Sequence, residues 1–381
     1  MALRDDVQKL ACELVAIESV NPDLVADGSG EAEIARFVES WLRDQGLEVS
    51  IVEPVRGRPS VVGVLRGSGG GKTLMLNAHM DTVGAGGMER AFEPVVRDGR
   101  IYGRGACDMK GSLAAIMLTA REAGRLGLKG DLIITAVSDE EVASLGTSAV
   151  LEQFHADAAI VTEPTELRLC LAHKGFVWLE VETRGLAAHG SLPEAGIDAI
   201  GRMGRILTGI VNLDRRLRAG AGHRLLGRGS VHASVIEGGQ EWSTYPARCA
   251  VKVERRTIPG EGAPRAMGEL EALIALAREE DPRLEATVRI VLERAASELG
   301  ADHPLAVAVA QAASDAMHGT ADAIGVGYWM DMALTNAAGI PTVAFGPAGK
   351  GEHADVEWVD VASLERCVQV YLRAAENLCG T

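Results

Sequence analysis

Five short motifs in this 381-residue chain carry side chains able to bind a divalent cation or move a proton. The first is Asn77-Ala78-His79-Met80-Asp81. At an extended strand end, residues two apart point to the same side. His79 and Asp81 can therefore act together, one binding a metal and the other orienting its ring. Taken alone, a His-x-Asp triplet is more often a solvated turn or a structural contact. The second motif is Tyr102-Gly103-Arg104-Gly105-Ala106-Cys107-Asp108-Met109-Lys110-Gly111. Its glycines bend the chain to present one carboxylate, Asp108, just before a helix begins; capping that helix is the plainer role. Neither the Rossmann nor the P-loop glycine spacing is met, which excludes a phosphate cradle.

The other three motifs follow short apolar runs. Ser138-Asp139-Glu140-Glu141 comes directly after the run 132–137. Three adjacent acids at a strand end are costly without a counter-charge. A solvated loop accounts for such a run in isolation, and a nearby cation accounts for it better. Val161-Thr162-Glu163-Pro164-Thr165 follows 158–160, and Gly349-Lys350-Gly351-Glu352-His353-Ala354-Asp355 lies just beyond 342–345. Sites in open α/β sheets form at the carboxyl ends of strands. The shared placement of these fragments strengthens each of them.

The elements that must position these motifs can be read from periodicity. Residues 3–14 and 31–45 have helical spacing, ended by Asn21-Pro22 and by Gly46. Strands are expected at 60–65, 73–78 and 132–137, with a helix over 112–125. This order predicts an α/β fold with a mixed, mostly parallel sheet and helices on both faces. The middle of the chain reads as strand 176–183, helix 197–217, strands 230–236 and 247–254, helix 263–280 and strand 285–292. That β-α-β-β-α-β order is the ferredoxin-like arrangement. The α/β pattern then resumes with helices 303–317, 331–338 and 361–377 and the strand 342–345. The expected division is therefore 1–175 with 293–381 as one domain and 176–292 as an insertion.

Bulk properties narrow the function classes. The chain is 47% hydrophobic and 24% charged with a formal net charge of −15, which argues against nucleic-acid or anionic-membrane binding. No apolar run approaches the roughly 20 residues that span a bilayer. The N-terminal residues lack signal-peptide features, so a cytoplasmic location is expected. The six cysteines are scattered without a CxxC pair, against a disulfide framework or a cysteine-bound zinc.

The ordered set His79-x-Asp81, Gly-Arg-Gly-x-x-Asp108-Met-Lys-Gly, Asp139-Glu140-Glu141, Glu163-Pro164-Thr165 and His353 resembles the M20 metallopeptidase and deacylase family. The resemblance runs from the first helix to the last. It implies a zinc-peptidase-like catalytic domain with two Zn2+, for which Co2+ or Mn2+ can substitute. His79 and Glu163 would hold one ion, Glu141 and His353 the other, and Asp108 would bridge them. Asp81 would orient His79, and Glu140 would be the general base. A cis peptide after Asp108 is a further implied detail. Two imidazoles and three carboxylates suit such metals, and a metal-bound water has its pKa lowered from 15.7 toward about 7.

In the insertion, Ala187-Ala188-His189-Gly190-Ser191 resembles the family's lid motif, which implies that His189 stabilises the oxyanion across a homodimer formed by this domain. Arg256 matches an arginine that binds the substrate carboxylate. Ser243 stands where many relatives carry Asn, which puts a strict desuccinylase assignment in doubt. Trp329 is expected to line the specificity pocket or to pack in the core. The implied reaction is hydrolysis of the amide of a small N-acyl amino acid or short peptide by a metal-activated water. A dipeptidase or carboxypeptidase is the alternative, and a non-catalytic metal-binding relative is a rival of another class.

Overall fold

The computed structural model describes residues 2–380, which divide into two units: one of residues 2–171, 299–324 and 330–380, the other of Ala172–Glu298 with Gly325–Trp329. The expected insertion, 176–292, is shorter by a few residues at each end, and the second unit also takes in the short stretch 325–329. No periodicity marks such a stretch.

In the first unit, four strands form a parallel centre in the order Leu132–Val137, Leu74–His79, Ala158–Val161, Thr342–Ala344. All are buried on both faces, which is why they read as continuous apolar runs without alternation. The flanks are antiparallel: Ser60–Leu65 pairs with Leu132–Val137, and Glu48–Val52 pairs with Ser60–Leu65. At the other side Ala344 pairs antiparallel with Cys170. The sheet is thus mixed, with its parallel part at the centre.

Helices cover both faces. Gly111–Ala123 packs on Leu74–His79 and against Ala2–Val15 and Val361–Cys379. It is buried on nearly every side, so its sequence lacks a polar stripe. The opposite face joins Val62, Met75, Ile133 and Val137 to Val150 of the helix Leu145–Leu151. Val361–Cys379 begins at Asp360, whose carboxylate accepts the Ser363 N–H at 2.7 Å, an N-cap that supplies one of the orphan amides with a partner.

A second, small antiparallel sheet escaped the sequence reading. It runs Gly349–Lys350, Trp358–Asp360, Arg100–Tyr102, Val95–Arg97.

The second unit is a four-stranded antiparallel sheet, Ser230–Gly238, Arg248–Thr257, Gly175–Arg184, Glu285–Arg294. This is the ferredoxin-like strand order. Helices Ala199–Ala219 and Ala263–Glu280 bury Met203, Ile206, Leu270 and Leu273 against Val177, Leu179, Val251 and Val253. Among the described residues no helix is long and apolar enough to cross a membrane, and all six cysteines are free.

Candidate metal centre

The parallel strands deliver His79, the 138–141 segment and Glu163 to one edge, because each follows the carboxyl end of a central strand. The small sheet brings in the remaining two donors. Trp358 pairs with Tyr102, so the loop 351–357 carrying His353 and the loop 103–108 carrying Asp108 leave neighbouring strands. Gly105 has φ +78° within the second loop, and a Cβ there would meet Thr82 Cγ2 at 2.7 Å. Only glycine fits that turn. His353 itself has φ +60°, a conformation that non-glycine residues adopt at a cost and that clusters at functional sites.

The side chains converge in two groups that share Asp108. His79 Nε2 lies 3.0 Å from Asp108 Oδ1 and 3.7 Å from Glu163 Oε1. His353 Nε2 lies 3.0 Å from Glu141 Oε2 and 3.5 Å from Asp108 Oδ2. Within each group the donor atoms all fall within 4.8 Å of one another. Two donors on a tetrahedral zinc at ordinary bond lengths are about 3.4 Å apart, so these separations suit a shared cation. His79 and Glu163 are buried, whereas the side chain of His353 is 55% exposed.

Electrostatics lead to the same conclusion. Burial pushes the Glu163 carboxyl well up, and Asp108 and Glu141 add to the effect. Glu140 is raised well above the carboxylate range by burial and then by Glu163. Glu141 is raised by burial and by Asp108. Asp108 goes the other way: burial opposes ionisation, but hydrogen bonds from His353 and His79 outweigh it. Hydrogen bonding to Asp108 and Glu141 raises His353 to about 10. His79 also lies well above its usual value: Asp108, Asp81 and Glu163 prevail over its burial. Among the described residues no Lys or Arg pairs with Asp108, Glu141 or Glu163. Protons on the histidines thus supply positive charge that a pair of divalent cations would provide.

Asp81 holds His79 through its main chain: His79 Nδ1 lies 2.9 Å from the Asp81 carbonyl oxygen. With the proton assigned to Nδ1, Nε2 is free to face the donors. The Asp81 carboxylate also faces the ring, its Oδ1 3.6 Å from His79 Nδ1, while it accepts the N–H groups of Glu140 at 3.1 Å and Glu141 at 3.2 Å and the Asn21 amide at 2.8 Å.

Three residues beside the centre are given no role there by their sequence motifs. Glu357 is fully buried and accepts the N–H groups of Gly105, Cys107 and Asp108 while pairing with Arg104 at 2.8 Å. Its only signal was position four residues after His353. Asp331 is buried; its Oδ2 accepts the Thr147 hydroxyl and its Oδ1 has no partner. Burial raises it to about 6. Asn21 had been read only as a helix stop. The peptide Asp108-Met109 is cis.

The four remaining predicted residues lie in the second unit. His189 is bridged to Thr244 and its Nδ1 lies 2.7 Å from Ser191 Oγ. The neighbouring Ser243 carbonyl accepts the Gly190 N–H, so His189 and Ser243 sit on adjoining segments. Arg256 is already engaged, bonded to Glu254 at 2.8 Å and stacked over Phe176 at 5.1 Å. Trp329 packs edge-on to His173, lies under Arg294, and donates its indole N–H to the Ala295 carbonyl at 3.1 Å.

Comparison with known proteins extends these observations. The model of peptidase family M20/M25/M40 matches residues 75–377. An acetylornithine deacetylase of Myxococcus xanthus is 31% identical over 386 residues, covering 97% of this chain and 96% of the relative. Aminopeptidase PepT from Bacillus cereus has a similar structure, with a TM-score of 0.83 at 19% identity over 98% of both chains. The Bacillus subtilis YXEP protein, described as a dinuclear metal binding peptidase from the M20 family, superposes with a TM-score of 0.77 at 18% identity over 100% of this chain and 99% of its own. With the family match spanning most of its length, the chain belongs to peptidase family M20/M25/M40.

Proposed function

We propose that this metallo-hydrolase cleaves the amide bond of N-acyl amino acids or related small substrates. The observation that carries the reading is Asp108, whose two carboxylate oxygens face two different histidine–acid pairs. His79 and Glu163 would hold one divalent cation and Glu141 and His353 a second, with Asp108 shared between them. Zinc suits this donor set first, and cobalt or manganese can replace it. Bound there, the cations polarise a carbonyl and acidify water.

The chain's own groups do the rest. Asp81 fixes the tautomer of His79 through its carbonyl. Glu140 takes the proton from the attacking water and returns it to the leaving nitrogen. Its buried surroundings favour holding that proton between the two transfers. His189 is assigned to the oxyanion, and Arg256, Ser243 and Trp329 to substrate contacts. For this Arg256 must exchange Glu254 for a substrate carboxylate. Association of two copies through the second unit belongs to the same proposal.

A dipeptidase or carboxypeptidase would use the same centre, and that is the second reading, since solved structures of the same fold carry the names carboxypeptidase and dipeptidase. The test is a panel of N-acetyl amino acids against dipeptides, each with added zinc, cobalt or manganese. Higher kcat/KM on the N-acetyl compounds is the expected result. Faster turnover of dipeptides would replace it with the second reading.

A further inference from the structure

Behind the acidic segment 138–141 lies a buried polar network that contributes no donor to the two groups around Asp108. Asn21 is fully buried. Its side-chain nitrogen donates to Asp81 Oδ2 at 2.8 Å and to Asp139 Oδ1 at 3.0 Å. Its oxygen accepts the Asp23 N–H at 3.0 Å, and its own N–H reaches the Thr82 carbonyl. Every polar group of the residue is therefore used. Arg58, 6% exposed, makes a fork onto Glu31 at 2.7 and 2.8 Å, and also donates to Asp139 at 2.9 Å and Asp23 at 2.6 Å.

The two acids that Asn21 joins hold the segment by its backbone. Asp81 accepts the N–H groups of Glu140 and Glu141. Asp139 is itself part of the segment, at φ +67°, and its carboxylate is fixed between Asn21 and Arg58. Its N–H is taken by Glu31 at 3.2 Å. Aspartate tolerates the left-handed region better than most residues; here Glu31, Arg58 and Asn21 hold it in place, and Glu140 and Glu141 are the next residues along the chain. Asp81 and Asp139 would repel each other across this gap if the Asn21 amide did not donate to both.

We propose that Asn21 and Arg58 are positioning residues: through Asp81 and Asp139 they set the backbone from which Glu140 and Glu141 project. This rests on the functional reading above, and it assigns no direct contact with substrate or metal to either residue. A purely structural role would lower folding stability and leave the folded fraction with normal kinetics and metal binding. A positioning role instead lowers kcat and weakens the donor group of Glu141 while the enzyme remains folded.

The test titrates metal-free wild-type protein, Asn21→Ala, Asn21→Asp and Arg58→Lys with Co2+, following the visible absorption of the bound ion. Thermal unfolding and steady-state kinetics on an N-acetyl amino acid accompany the titrations. In the Asn21 variants, the expected result is a loss on the order of 10–100-fold in the affinity of one of two cobalt ions. A comparable fall in kcat with little change in KM should go with it. Asn21→Asp, of the same shape but without donors, should be no better than alanine. Arg58→Lys, which keeps the charge but not the fork, should show a smaller loss in the same direction and serves if the Asn21 variants do not fold. Two cobalt ions bound with wild-type affinity and an unchanged kcat in a folded variant would overturn the proposal. Failure of the wild-type protein to bind two cobalt ions would instead overturn the functional reading.

Discussion

Glu357 accepts the main-chain N–H of Asp108 at 3.0 Å, although the two residues are 249 positions apart in the chain. The same carboxylate neutralises Arg104, which is almost fully buried and also donates to the carbonyls of Gly84 and Ala354. One side chain therefore fixes the loop of the shared acid and ties it to the loop of His353. Removing one member of a buried pair leaves the other charge stranded, which typically costs 3–5 kcal/mol. Glu357→Ala is expected to destabilise the protein by about 3–5 kcal/mol. Urea unfolding of the metal-free protein measures this, and a change under about 1 kcal/mol would show that Arg104 finds other partners.

Glu140 is the group assigned to proton transfer, and it stands outside both donor groups. Glu140→Ala should keep both metals bound while kcat falls by about 10²–10⁴-fold, the usual contribution of a general base. Metal analysis alongside kinetics separates the two effects. Wild-type turnover in that variant would remove Glu140 from the reaction.

His353 is held at about 10 by Asp108 and Glu141. Its folded value lies above its ordinary one, so the ion-pair stability of the metal-free protein is complete below about pH 6.5. It is lost as pH rises through about 10. A metal must displace that proton. Affinity for the cation held by Glu141 and His353 should therefore rise about tenfold per pH unit between pH 7 and 9 for each proton released. Calorimetry in buffers of different ionisation enthalpy counts the protons, and pH-independent affinity would contradict the assignment.

Asp331 behaves in the opposite sense to an ion-paired acid. Burial lifts it to about 6 from an ordinary 3.8, so the folded state binds its proton more tightly than the unfolded chain. The contribution of this group to stability is therefore greatest at low pH and is lost as pH rises through about 6, by about 3 kcal/mol. Asp331→Asn should stabilise the metal-free protein by about that amount at pH 8, and by little below pH 4. Denaturant titrations at the two pH values check the sign.

The sequence was informative where chemistry sits beside a long local pattern. The runs 74–79 and 132–137 are apolar throughout, so the edge carrying His79 and Glu140 could be found from them. The small sheet was invisible because its strands have two or three residues, too few to show a period of two. Glu357 was lost with it, lying in a stretch of polar residues that reads as loop. Asn21 shows locally only as a helix stop and Arg58 not at all, since their meaning comes from acids far along the chain. Arg256 was selected by its motif, but no pattern announced that Glu254 already occupies it.

The pairing of Trp358 with Tyr102 also bears on how this protein is made. A growing chain has His79, Asp108, Glu141 and Glu163 available early, but the strand that draws in His353 is synthesised about 190 residues after Glu163. Closing so long a loop is entropically slow and must await residues 358–360. A product ending before residue 350 would lack His353 and, with it, the Glu357 carboxylate that holds the Asp108 loop. Both donor groups therefore depend on this late strand: one through His353, the other through the hold of Glu357 on Asp108.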